Sequence, residues 1–150
     1  MPVLHNELND YCYRARHRLE LVSNDKVAAF SRKILVVDDD PDLCLGLYIR
    51  LKANSYDTCF AHDAESAVGT ALAEMPDLII LDLGLPGDDG YSVMQRLSAV
   101  PELAGVPVIV VTGRDRFAHE KRSRDAGARR FFEKPIDDRR LLMGIRQLLG

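Results

Sequence analysis

The sequence predicts an α/β fold: a doubly wound, five-stranded parallel sheet with helices on both faces. Three observations predict it. Short apolar runs recur at residues 34–37, 78–81 and 106–111, bounded by turn residues, as strands buried on both faces do. Segments with helical spacing of apolar residues alternate with these runs. Each run also ends in a polar residue, which gathers polar groups at the carboxyl ends of the strands.

Composition bounds the rest. The chain has 150 residues, 47% hydrophobic and 29% charged, which fits one domain plus an extension. The net charge of -3 argues neither for nor against a nucleic-acid partner. The three cysteines, Cys12, Cys44 and Cys59, lack metal-site spacing and read as thiols in a reducing cytoplasm. No stretch is apolar for long enough to cross a bilayer, and the N-terminus lacks a signal-peptide core.

Residues 1–32 stand apart from the domain expected at 33–150. Leu4, Leu8, Tyr11, Ala15, Leu19 and Val22 recur at helical spacing, which predicts one extra N-terminal amphipathic helix. Its stripe packs on the main domain, pairs with another chain, or stays poorly ordered alone; the sequence leaves these open. His5 and His17 read as solvated helix-face residues, because no phosphorylation motif surrounds them.

The regular part opens at Lys33. Strand 34–37 ends in Asp38-Asp39-Asp40, and Pro41 follows. Proline suits the first helical turn, so Asp40 reads as the cap. Asp38 and Asp39 have no such structural role. The helix runs to about Asn54 with Cys44, Leu47, Tyr48 and Leu51 inward, and 55–61 reads as an edge strand. Asp63 caps a second helix that buries Ala64, Ala67, Val68, Ala71 and Met75. Strand 78–81 runs into Asp82, after which Gly84, Pro86, Gly87 and Gly90 break regular structure.

Helix 91–100 turns Val93, Met94 and Leu97 inward. Strand 106–111 ends in Thr112-Gly113. A highly charged helix over 114–126 stops at Gly127. Strand 130–133 ends in Lys134-Pro135, and Asp137 or Asp138 caps the last helix, with Leu141, Leu142, Ile145, Leu148 and Leu149 as its apolar face. Right-handed crossovers favour the flavodoxin-like strand order 2-1-3-4-5. Ligands of such sheets bind beyond the strand carboxyl ends, between strands 1 and 3.

That rim would hold Asp38, Asp39, Asp82, Thr112 and Lys134. Taken singly, each is more often a cap, a turn residue or a solvated side chain. Taken together they are informative. Three close carboxylates resist joint ionisation, and a hard divalent cation such as Mg2+ relieves this. Lys134 and Thr112 have no place in a pure cation site. They make sense if a phosphoryl group also visits. Asp82 would then attack phosphorus and become an acyl phosphate.

The segments ILVVDDDPDL, PDLIILDLGLPGDDGYSVM, VPVIVVTGR and AGARRFFEKPID closely resemble the receiver domain of two-component response regulators. The resemblance covers all five strand positions, in order, from Lys33 to Gly150. It implies that Asp82 is the phosphoacceptor. Asp39 would ligate Mg2+ directly, Asp38 mainly through water, and the Gly84 carbonyl would complete the protein ligands. Lys134 would pair with the phosphoryl group, and its bond to Pro135 is expected to be cis. Thr112 would swing in toward a phosphoryl oxygen. Phe131 stands at the switch-aromatic position and would turn inward when Thr112 moves. The Gly113 amide would also contact phosphate.

The resemblance further implies a cytoplasmic signalling protein rather than an enzyme, limited to its own phosphotransfer and autodephosphorylation. Its donors would be a sensor histidine kinase or a histidine phosphotransfer protein. Its readout surface would be the fourth helix, fifth strand and fifth helix. No DNA-binding domain is expected after Gly150, so output would pass to a downstream protein effector, through a homodimer, or onward along a phosphorelay. Gly84 and Arg114 occupy the two positions that tune acyl-phosphate lifetime in this family. Three alternatives carry less. A receiver-like interaction module would not require phosphorylation. A phosphohydrolase would want an acid where Gly84 stands. A flavin protein would want a hydroxyl-rich loop after strand 1.

Overall fold

The computed structural model describes residues 31–150. The expected N-terminal helix, with Cys12, His5 and His17, lies outside the described residues. Five strands, β1 (Lys33–Val37), β2 (Asp57–Ala61), β3 (Leu78–Leu81), β4 (Val108–Thr112) and β5 (Arg130–Glu133), form one parallel sheet in the order β2-β1-β3-β4-β5. Five helices alternate with them: α1 (Pro41–Ala53), α2 (Ala64–Glu74), α3 (Gly90–Ala99), α4 (Arg116–Asp125) and α5 (Asp138–Leu149). The expected fold and strand order are both present.

Alternation along each strand divides the core into two layers. Leu35, Val37, Ile79 and Leu81 face Ala64, Ala67 and Ala71 of α2 and Val93, Met94 and Leu97 of α3. Ile34, Val36, Leu78 and Ile80 face Cys44, Leu47, Tyr48 and Leu51 of α1 and Leu141 and Ile145 of α5. Each large aliphatic side chain buried this way contributes about 1.5–3 kcal/mol of hydrophobic free energy. The helix α4 is different. Ser123 is its one buried residue, so little apolar packing holds it.

Each described helix starts at an aspartate. Asp40, Asp63, Asp89, Asp115 and Asp137 accept hydrogen bonds from backbone amides in the first turns of α1 to α5. A cap of this kind contributes about 1 kcal/mol. Five acids are thereby assigned to architecture, which sets Asp38, Asp39 and Asp82 apart.

Some expectations need correction. Gly90 does not break structure; it is the first residue of α3. A Cβ there would lie 2.6 Å from both the Asp82 carbonyl oxygen and Leu83 Cα, so only glycine lets the helix start this close to β3. Met75 is not buried. It sits at the left-handed cap of α2 with φ 47 and is 52% exposed. The fourth strand begins at Val108 rather than Val106, and the second at Asp57 rather than Ser55.

Candidate functional site

The sheet delivers the acids to one place. The Asp82 amide donates to the Val37 carbonyl at 3.0 Å, so Asp82 and Asp38 leave adjacent strands side by side. The Lys134 amide donates to the Thr112 carbonyl at 2.8 Å, which joins the ends of β5 and β4 in the same way. Carboxylate oxygens of Asp38, Asp39 and Asp82 all lie within 4.8 Å of one another. Asp38 and Asp82 are buried, while Asp39 is exposed.

Lys134 closes the site. Its ammonium donates to Asp38 Oδ2 at 2.8 Å and to Asp82 Oδ2 at 3.1 Å. The other oxygens are held by backbone. Gly84 N donates to Asp82 Oδ1 at 3.0 Å, and Asp40 N donates to Asp38 Oδ1 at 2.9 Å. Burial pushes the Asp38 carboxyl above its ordinary range, and Lys134 and the Asp40 amide offset only part of this. Burial works against the Lys134 ammonium, but Asp38 and Asp82 outweigh it and raise the lysine's pKa.

Thr112 is fully buried at the end of β4. Its Oγ1 accepts from Arg114 N at 3.3 Å rather than approaching Asp82 by a hydrogen bond. Gly113 is exposed. Phe131 is already buried within the core layer of Leu81 and Val110, so its inward position exists in this structure. The Lys134-Pro135 bond is cis.

The donor set fits a hard divalent cation. One ammonium faces three carboxylates, and Asp39 makes no hydrogen bond or ion pair among the described residues.

A family model for the response regulator receiver domain matches residues 34–146. The chain belongs to this family. Receiver domains are phosphoacceptor modules of two-component signalling. This receiver domain is 36% identical over 118 residues to the response regulator PleD of Caulobacter vibrioides, covering 79% of this chain but only 26% of PleD. It is 31% identical to the protein PilH of Pseudomonas aeruginosa, covering 79% of this chain and 98% of PilH. Among solved structures it resembles the receiver domain of the sensor histidine kinase PA1611 from Pseudomonas aeruginosa, which holds a magnesium ion in its active-site cleft. That match has 26% identity and a TM-score of 0.73, and covers 80% of this chain and 98% of the other.

Two groups beside the site escaped the sequence reading. Asp89 caps α3 and also pairs with Arg114, at 3.3 Å. An aspartate just before a helix is a cap signal that could have found the first role; nothing local signals the second. Tyr91 on α3 bonds His119 Nδ1 on α4 at 2.8 Å, and the Arg122 guanidinium lies 3.9 Å from the Tyr91 ring centroid. The start of α3 and the body of α4 are thus linked by polar and cation–π contacts. No helix among the described residues is long and apolar enough to cross a membrane.

Proposed function

We propose that Asp82 accepts a phosphoryl group from a phosphohistidine on a sensor kinase or a histidine phosphotransfer protein. The observation that carries this reading is Lys134 Nζ lying between Asp82 Oδ2 and Asp38 Oδ2. An oxygen of Asp82 attacks phosphorus, the P–N bond breaks, and the imidazole leaves with the bonding pair and takes a proton. The product is an acyl phosphate on Asp82. Water later attacks phosphorus, breaks its bond to the Asp82 oxygen and releases inorganic phosphate.

Lys134 neutralises phosphoryl charge as it develops and afterwards pairs with the product. Gly84 N, already on Oδ1, keeps the Asp82 carboxylate oriented for attack. Thr112 supplies a hydroxyl once it turns from the Arg114 amide, and the Gly113 amide adds a donor. Asp38, Asp39, Asp82 and the Gly84 carbonyl would hold Mg2+, which supplies charge neutralisation between phosphate and carboxylates when bound.

The phosphoryl group brings a charge of about -1.5 to -2 into the site. Drawing Lys134 and Thr112 toward it biases a two-state equilibrium of the domain. Phe131 contributes by packing, since it has no hydroxyl. The readout surface is α4, β5 and α5. Arg116, Arg124 and Lys121 there are locally paired with Glu120 and Asp125, as on a solvated helix. Phe117 is 96% exposed at the start of α4 and supplies an apolar anchor for a protein effector. The receiver domain spans residues 33–150, and residues 1–32 specialise its output.

Incubation with acetyl phosphate and Mg2+, followed by intact mass, tests the reading. The wild type gains one phosphate and Asp82→Asn gains none. A folded wild type that takes no phosphate overturns it and favours an interaction module independent of phosphorylation.

A further inference from the structure

We propose that Arg114 is a second cation for the phosphoryl group, stored on Asp89 until Asp82 is loaded. This rests on the phosphoacceptor reading and concerns how the same site holds its product.

Arg114 is tied to the site through its backbone, because its amide donates to Thr112 Oγ1. Its side chain reaches back over the loop that follows β3. A Cβ at position 84 would lie 3.8 Å from Asp82 Oδ1 and 4.0 Å from Arg114 Nε, with no other non-neighbouring atom within 4 Å. The space above Gly84 is therefore bordered by both the acceptor carboxylate and a guanidinium. A larger residue at 84 would occupy this space. Lys134 approaches Asp82 from Oδ2. Arg114 and Asp82 Oδ1 border the same open space at Gly84, so a group on Asp82 that fills this space comes within reach of a second cation.

The present partner of Arg114 is a weak one. Arg114 Nη1 lies 3.3 Å from Asp89 Oδ2 and 3.5 Å from Oδ1. Both side chains are partly exposed, and Asp89 Oδ1 already accepts from Tyr91 N at 3.2 Å. A pair this long and this wet holds the guanidinium only weakly. A phosphoryl dianion offers more charge and three acceptor oxygens to a planar fork of donors. On loading, Arg114 exchanges Asp89 for phosphate, and Asp89 keeps its role as the cap of α3.

Beryllium fluoride with Mg2+, which mimics the phosphoryl group on a carboxylate, tests this by calorimetric titration of the whole chain. Arg114→Ala and Arg114→Gln weaken its Kd by about ten-fold. Asp89→Asn retains a capping oxygen but loses the competing charge, and tightens the Kd by about three-fold. Opposite shifts in the two variants support the exchange. Equal Kd values, or shifts of both variants in the same direction, assign the pair a structural role and overturn it. If the wild type shows no Mg2+-dependent binding, the phosphoacceptor reading fails and the exchange falls with it.

Discussion

Lys134 Nζ lies 3.1 Å from Asp82 Oδ2, although 52 residues separate them in sequence. The contact spans the sheet from the end of β5, at its edge, to the end of β3, at its centre. It places an ammonium on the proposed acceptor before any phosphate arrives. A cation in that position offsets the repulsion between Asp82 and Asp38, which is 2% exposed.

Removing that cation exposes the repulsion. Lys134→Met is expected to lose about 1–3 kcal/mol of stability in the presence of a chelator, because two buried carboxylates lose their partner. Mg2+ then has more to relieve. Its addition is expected to raise the Tm of the variant by more than that of the wild type. Thermal unfolding with EDTA and with Mg2+ checks both parts. Equal Mg2+ shifts would show that Lys134 and the cation do not share the acids.

The close approach of Gly90 to β3 has a measurable cost when filled. Gly90→Ala must displace backbone atoms 2.6 Å from the new Cβ, and is expected to destabilise the fold by about 2–3 kcal/mol. Gly46, inside α1, is the control, since a Cβ there meets nothing within 4 Å. Gly46→Ala is expected to stabilise by about 0.5–1 kcal/mol. Urea unfolding of the two variants should give opposite signs.

Much of this architecture was legible in the sequence. The runs ILVV and LIIL read as buried strands because both faces of a parallel sheet are covered, and the polar residues ending each run marked the rim. Asp40 read as a cap because Pro41 follows it. Gly90 was misread as a breaker, since its need is a distance to β3 that no local pattern encodes. Met75 continued the helical stripe of α2, but the chain turns left-handed there and carries it outward. The Asp89–Arg114 pair joins loops that follow different strands, so spacing along the chain held no sign of it.

The buried thiol of Cys44 gives a pH test. Burial, followed by the charges of Asp38 and Asp40, pushes its pKa from 9.0 to about 12. The unfolded chain loses this proton first. Stability from the protonated thiol is therefore whole below pH 9.0 and is lost as pH rises toward about 12. The loss approaches about 1.4 kcal/mol per pH unit. Cys44→Ala is expected to be less stable at pH 8 but to show a flatter decline between pH 9 and 10. Parallel declines would mean that Cys44 is not the titrating group.

The central claim is that the phosphate is carried by Asp82 itself. Borohydride reduction of the phosphorylated protein converts an acyl phosphate to an alcohol, so the modified aspartate becomes homoserine. Peptide mapping by mass spectrometry should then find homoserine at position 82 alone, only after treatment with phosphodonor and Mg2+. Homoserine at another aspartate, or phosphate that survives on a histidine or serine with position 82 unchanged, would contradict the account.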